Sequence, residues 1–151
     1  MRLSRHHSWF THVVFGHIAL AFALSFVIGF EREIRGAPAG DRTYALVGTG
    51  AAAITTVTVV SSPQAIAGIV TGIGFIGAGL LFRGGEGMLT GMTSAATIFA
   101  VAAIGIVAGT GHDWLAVGVA TLVLIDLELR KLPLLKNLDA RRYARNDDEM
   151  M

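Results

Sequence analysis

Five apolar runs separated by short polar segments restrict what this chain can fold into. They cover residues 10–30, 45–60, 65–82, 95–108 and about 114–129. At about 1.5 Å per residue, the first run reaches roughly 30 Å, which is the thickness of a bilayer core. Only 15% of the residues are charged, against about 25% in soluble domains. The pattern predicts an all-α membrane protein, a polytopic bundle of five transmembrane helices.

The first run has a second interpretation as a secretory signal peptide, because Arg2 and Arg5 precede it. The apolar region of a signal peptide has about 7–15 residues and is followed by a small-residue cleavage site. This run is longer, and it continues into Glu31, Arg32 and Glu33 without such a site. We therefore interpret it as a permanent membrane anchor.

Basic residues are divided unequally between the two sides that five crossings define. The N-terminus shares its side with the short turns after the second and fourth runs, and this side carries Arg2 and Arg5. The opposite side carries Arg32, Arg35, Arg42, Arg83, Arg130, Lys131, Lys136, Arg141, Arg142 and Arg145. The positive-inside rule places the second side in the cytoplasm and the N-terminus outside. We divide the chain into a transmembrane domain, 1–131, and a cytoplasmic tail, 132–151.

Glycines in the third run fall on two faces of the predicted helix. At about 100° per residue, Gly68, Gly72 and Gly79 share one face, and Gly74 and Gly77 lie roughly opposite. Small residues let the backbones of neighbouring membrane helices approach closely. We therefore expect these glycines to pack against other helices and the third helix to occupy the centre of the bundle. A hinge or a substrate groove is the alternative role of the same glycines.

A polar island, residues 29–44, separates the first two runs and holds most of the candidate functional residues. Its glycines and Pro38 interrupt the first helix, and we expect Asp41 or Thr43 to cap the second. Five crossings bring this island to the same side as the loop between the third and fourth runs. The candidate cluster is Glu31, Arg32, Glu33, Arg35, Asp41, Arg42, Thr43, Arg83 and Thr93.

The residues of this cluster leave two interpretations open. It is either a solvated region whose ion pairs hold helix ends, or a platform that binds a partner or a lipid headgroup. In both cases we expect Glu31 or Asp41 to pair with Arg42 or Arg83. A guanidinium binds a carboxylate through two parallel hydrogen bonds, which lysine does not reproduce.

Several other classes of function lack a sequence signal. The absence of cysteine removes thiolate metal sites and cysteine nucleophiles. No phosphate-binding loop or HExxH motif occurs, and the GxGxxG pattern at 72–77 lies inside an apolar run instead of after a strand. The basic tail ends in acidic residues. We expect no enzymatic activity, no catalytic residue, no cofactor, no bound metal and no nucleic-acid partner.

A transported magnesium ion would need oxygen ligands within the membrane. Among the apolar runs only Asp126 and Glu128 qualify, and both lie near the cytoplasmic end of the fifth. Asp126 is spaced i,i+4 from Arg130, which predicts a local ion pair. His12 and His17 differ by about 140° around the helix axis, so we expect packed or interfacial histidines instead of a shared metal site.

Three motifs follow one another in order and carry a resemblance. They read G-F-E-R-E-x-R-G-x-P-A-G-D-R-T at 29–43, G-I-G-F-I-G-A-G at 72–79 and T-S-A-A-T-I-F-A-V-A-A-I-G at 93–105. Together they resemble the signature of the MgtC/SapB family, and the similarity extends from about residue 20 to residue 130.

The sequence departs from the family pattern at a few positions. Asp41 stands where the family usually has a hydrophobic residue, Phe99 replaces a tryptophan, and an arginine before Gly91 is missing. Longer members that resemble MgtC proper add a soluble cytoplasmic domain. This sequence is similar to the short members, which lack that domain.

The resemblance implies a multi-pass protein of the bacterial inner membrane, linked to magnesium limitation, acid stress, virulence or survival inside host cells. It also implies regulation of other membrane machinery, including the F-type ATP synthase, instead of magnesium transport. We therefore expect a non-enzymatic regulator whose partners are membrane lipids and either a second copy or another membrane protein. The alternative is a transporter or channel for Mg²⁺ or another small solute.

Overall fold

The computed structural model describes the backbone of residues 3–81 and 91–129, and the side chains of 11–81 and 91–129. The described residues form five helices and no strand, which confirms the all-α prediction. The helices are α1 (Leu3–Ile34), α2 (Asp41–Thr58), α3 (Gln64–Leu81), α4 (Met92–Gly109) and α5 (Asp113–Leu129). They follow the five apolar runs. Arg83 and the predicted tail, 132–151, lie outside the described residues.

The polar island interrupts the helix between Ile34 and Asp41, as predicted. Gly36 adopts a φ of 65°, a left-handed conformation that costs glycine little and commonly ends helices. The N–H of Gly36 donates to the carbonyl of Glu33 at 2.9 Å. The island therefore turns the chain back, and α2 packs along α1.

The predicted cap of α2 is wrong. Gly40 occupies the N-cap position and forms no side-chain cap hydrogen bond. Asp41 and Thr43 lie inside the first turn instead, where Asp41 Oδ1 accepts the N–H of Arg42 at 2.6 Å. The helix therefore begins before the apolar run, and its first turn is polar.

Helix α4 lies at the centre of the bundle. It packs against α1, α2, α3 and α5, and it buries residues from Ser94 in its first turn to Gly109 at its end. Helix α3 packs mainly against α4, and only Ile73 and Gly77 of its residues are buried. Our expectation that α3 occupies the centre is therefore wrong. The glycine-rich faces of α3 permit close packing, but the buried core consists mainly of side chains of α4 together with those of α1, α2 and α5.

The closest helix contacts join α1, α2 and α4. A Cβ added to Gly48 of α2 would lie 2.7 Å from the Cβ of Ser25 on α1. A Cβ added to Gly109 of α4 would lie 2.6 Å from the carbonyl oxygen of Ala52 on α2. These separations are too short for real side chains, so the backbones approach this closely only because glycine is present. The three helices form a close-packed core.

The glycines of α3 are in open surroundings within this chain. A Cβ added to any of four of them would meet no described heavy atom within 4 Å: Gly68, Gly72, Gly74 and Gly79. A Cβ on Gly77 would meet the Cβ of Ala95 at 3.6 Å, an ordinary contact. The described part of the chain therefore does not make the predicted close contacts at these four glycines of α3.

Three of the described helices are long and apolar enough to cross a membrane: Thr11–Ile34 within α1, together with α3 and α4. Helix α2 contains several threonines. The hydroxyls of Thr49 and Thr56 donate to carbonyl oxygens one turn earlier, at 2.7 and 2.9 Å. These hydrogen bonds satisfy the hydroxyls internally, so the composition of α2 is compatible with lipid.

Polar contacts join the helices at two opposite ends of the bundle. At the island end, α1 and α5 finish while α2 and α4 begin, and hydrogen bonds connect them. At the far end, His17 of α1 meets Asp113 of α5, and Thr56 of α2 donates to the carbonyl of Gly109 at 3.2 Å. The island end gathers most of the residues predicted to form the functional cluster.

Candidate functional site

Arg32 connects α1 with α4 at the island end. Its Nη2 donates to Ser94 Oγ at 3.0 Å, and the Tyr44 phenol of α2 donates to the Ser94 carbonyl at 3.3 Å. Tyr44 and Ser94 are buried. Gly29 makes room for this arrangement, since a Cβ there would lie 2.8 Å from the Cβ of Tyr44. Three helix ends therefore converge on one buried serine.

Arg35 connects α1 with α5. Its Nη1 donates to the carbonyl of Leu127 at 2.8 Å and its Nη2 to Glu128 Oε1 at 2.7 Å, while its Nε pairs with Glu31 one turn earlier. The last carbonyls of a helix lack intrahelical partners, so Arg35 satisfies one of those of α5. The planar guanidinium presents several donors in fixed directions, which lysine does not. Arg35 is therefore engaged in holding two helix ends together.

Glu33, Asp41, Arg42 and Thr43 form the outward face of the island end. Together with Gly40 they line a polar cavity of about 360 Å³. Arg42 donates its backbone N–H to Asp41, while its exposed guanidinium has no partner among the described residues. The outward face thus presents one guanidinium and two carboxylates beyond the helix ends.

The predicted pairing of Glu31 or Asp41 with Arg42 does not occur among the described residues, and their pairing with Arg83 stays a prediction. Glu31 pairs with Arg35 and not with Arg42, and Asp41 accepts a backbone N–H instead of a guanidinium. Helical spacing explains the first difference, because Glu31 and Arg35 are i,i+4 neighbours on one face of α1. Adjacent residues such as Asp41 and Arg42 point about 100° apart on α2. Arg83 lies outside the described residues.

Thr93 lies apart from the rest of the predicted cluster. It is exposed, and it lines a cavity between α4 and α5 with Thr97 and Asp126. Its neighbour Ser94 faces α1 and α2 instead. Arg130, the predicted partner of Asp126, lies outside the described residues. The structure therefore divides the predicted cluster into three parts. Arg32 and Arg35 bind groups of other helices, the outward face lines its own cavity, and Thr93 lies on the side of α5.

Buried polar atoms at the island end retain unused hydrogen-bonding capacity. Both carboxylate oxygens of Glu31 and the Nε of Arg32 are buried without a hydrogen-bond partner in the described part of the chain. Leaving such a group unsatisfied costs about 1–3 kcal/mol. The ion pair with Arg35 offsets this cost for Glu31. The island end is therefore a polar pocket that contacts within the described chain do not fully satisfy.

Two contacts between helices were not predicted from the sequence, that of Tyr44 at the island end and that of His17 with Asp113 at the far end. Tyr44 directly follows Arg42 and Thr43 of the island motif. A tyrosine at the start of an apolar run was the available indication that its hydroxyl forms a hydrogen bond within the bundle. At the far end, His17 Nδ1 and Asp113 Oδ1 lie 2.7 Å apart and join α1 to α5. An acidic residue in the first turn of the fifth helix, at the end opposite the island, was the available signal for this pair.

A helical bundle with three apolar helices of membrane length and a polar cluster at one end belongs to the class of α-helical membrane proteins. The family described as the MgtC family matches residues 18–133 of this chain. The match covers most of the chain, including the island and the contacts described above, except the contact of His17 with Asp113, because His17 lies one residue before the match begins. The chain belongs to the MgtC family.

Relatives from several bacteria show the same similarity. The chain is 39% identical over 133 residues to Protein MgtC of Brucella abortus (strain 2308), which covers 85% of this chain and 55% of the relative. It is 43% identical over 101 residues to Protein MgtC of Salmonella typhimurium (strain LT2), covering 64% and 43%. It is 32% identical over 134 residues to an uncharacterized protein of Haemophilus influenzae, covering 80% and 56%. The chain spans about half the length of the curated relatives it matches. No solved structure matches it significantly.

Proposed function

We propose that this chain crosses the bacterial inner membrane five times, with its N-terminus outside and its C-terminus in the cytoplasm. Three helices have the required length and hydropathy. Helices α2 and α5 are bonded to the others at both the island end and the far end, so they run through the same depth. The excess of basic residues on the island side supports the orientation.

Reporter fusions at the two termini test this topology. We expect a periplasmic reporter to be active at Arg2 and a cytoplasmic reporter to be active at Arg145. Finding both termini on one side of the membrane would contradict five crossings.

We infer that the protein is a non-enzymatic regulator that binds another membrane protein, or a second copy, through the outward face. The main support for this proposal is that the arginines of the cluster differ in whether they have partners within the described chain. Arg32 and Arg35 are engaged within the chain, whereas the Arg42 guanidinium has no described partner. Guanidinium groups bind carboxylates and phosphates bidentately. Membership of the MgtC family supports a role during magnesium limitation, acid stress or survival inside host cells.

The alternative function is a transporter or channel for Mg²⁺ or another small solute. Such a protein needs polar groups along a path through the membrane. Two buried hydroxyls favour this alternative, because Ser25 and Thr55 have no hydrogen-bond partner in the described chain. The backbone contacts of Gly48 and Gly109 close the core directly around them. This close packing favours the regulator.

Arg42→Ala tests the regulatory proposal. We expect normal accumulation in the membrane and an unchanged unfolding temperature in detergent, because the side chain is exposed and has no partner among the described residues. We also expect failure to complement a deletion strain under magnesium starvation, and loss of a partner that cross-links to the wild-type protein. Arg42→Lys is the matched control, since it keeps the charge without the planar donors.

Two outcomes would contradict the proposal. The first is an Arg42→Ala protein that accumulates normally and complements fully. The second is magnesium flux into proteoliposomes containing the purified protein, above that of empty vesicles, which would establish the transporter instead.

A further inference from the structure

We propose that the cavity between α4 and α5 binds an aminophospholipid through its ammonium headgroup. The cavity measures about 310 Å³. Its wall combines Thr93 and Thr97 of α4 with Asp126 of α5, and continues with apolar residues of both helices. The inference goes beyond the regulatory role, and it rests only on the proposed membrane location of α4 and α5.

The charge of the cavity comes from Asp126. This residue is exposed, and it makes no hydrogen bond or ion pair with another described residue. Two described arginines of α1 make their contacts elsewhere, Arg35 with α5 carbonyl and carboxylate oxygens and Arg32 with Ser94. Carboxylates at membrane depth are costly, and they mark functional positions. Arg130, spaced i,i+4 from Asp126, lies outside the described residues. Within those residues the carboxylate has no cationic partner, which favours a cationic occupant.

The hydroxyl groups of the cavity suit an ammonium donor. Thr97 Oγ1 donates its proton to the Thr93 carbonyl at 2.6 Å, so toward other groups it acts as an acceptor, and it shares this capacity with the Tyr44 phenol. The exposed Thr93 hydroxyl and the Asp126 carboxylate add further acceptors for the N–H groups of an ammonium. A divalent cation would need several oxygen ligands, and no group of three His, Cys, Asp or Glu side chains suited to a metal occurs among the described residues.

The shape of the cavity favours a lipid over a soluble amine. Thr93 and Asp126 lie near the island end, where headgroups would be found. Further from that end, the wall consists of Ala96, Ala100 and Leu122. Small alanines leave room along α4, and the surface becomes apolar toward the membrane centre. A phospholipid presents the same sequence of groups, with a polar headgroup above an apolar acyl chain.

Lipid retention by the full-length purified protein tests the site. Native mass spectrometry would compare phosphatidylethanolamine with phosphatidylglycerol of identical acyl chains. We expect the wild type to retain the ethanolamine lipid better by up to about fivefold, the most that one exposed ion pair supports. Asp126→Asn should abolish this preference. Asp113→Asn, the same substitution at the other end of α5 and outside the cavity, should preserve it.

A second variant addresses the apolar part of the cavity without touching the charge. Ala100→Leu should fill the space along α4 and lower retention of the ethanolamine lipid, and it provides a test even where Asp126→Asn folds poorly.

Four outcomes would overturn the site. The first two are equal retention of both lipids by the wild type and a preference that persists in Asp126→Asn. The third is binding of soluble phosphoethanolamine as strong as that of the ethanolamine lipid. The fourth is efficient cross-linking of Ala100→Cys to another protein chain. Because these measurements do not use complementation, they separate failure of this site from failure of the regulatory proposal.

Discussion

The glycines of α4 and those of α3 are similar in sequence but lie in opposite surroundings. Gly105 and Gly109 press against the backbone of α2, whereas Gly68 and Gly72 border an apolar groove between α2 and α3. Phe75 of α3 is 84% exposed, although α3 has the apolar composition of a buried helix. Glycine spacing therefore indicates where two helices are able to approach, but not whether they do.

Burial of the neighbouring side chains accounts for the difference. The glycines of α4 alternate with buried residues such as Val101 and Ile104, which hold α4 against its partners. The residues between the α3 glycines are mostly exposed. A close glycine contact thus forms where other side chains have already fixed the interface.

The largest expected effect is that of Gly105→Ala. The added Cβ would lie 2.9 Å from the Cβ of Ala51 and closer still to the backbone of Gly48. Since backbone atoms of two helices cannot yield easily, we expect a loss of about 2–3 kcal/mol in the free energy of unfolding. Thermal unfolding in detergent would measure it. Gly118→Ala is the matched control, because a Cβ at Gly118 would have no described atom within 4 Å. Equal stability of the two variants would contradict the difference between close-packed and open glycines.

Arg32→Ala should have an intermediate effect at the end of the same core. The substitution removes the hydrogen bond to Ser94 and should lower the free energy of unfolding by about 1–2 kcal/mol. The same measurement on Arg42→Ala should show no change, because that guanidinium is exposed and unengaged. If both arginine variants lose stability equally, the distinction between engaged and outward arginines is wrong.

Gly72→Ala should have the smallest effect, and the opposite sign. The added methyl group meets open space, and alanine favours a helix over glycine by up to about 1 kcal/mol. We expect unchanged or slightly higher stability in detergent. A clear loss of stability or of self-association would show that another chain covers α3, and would restore close packing as the role of its glycines.

Much of the fold could be predicted from the sequence because it depends on local properties. The lengths of the apolar runs and the glycine and proline residues of the island determine five helices and the break between α1 and α2. The sequence also placed the island and the start of the fourth run at the same end, where Arg32 contacts Ser94, but it did not separate Thr93 from the island. The cap at Gly40 was not predicted, since a glycine N-cap has no side chain to announce it.

The tertiary structure alone decided which helix is central and which charges pair. Glu31 and Arg35 are one turn apart, but Glu128, the other carboxylate that binds Arg35, lies 93 positions after Arg35 in the sequence. Nothing local indicates that α5 ends beside α1. The same holds for Gly105 against Gly48. Helix formation follows from hydrogen bonds within one segment, whereas these contacts depend on how whole helices are rotated and arranged around α4, which the pattern of any single segment does not contain.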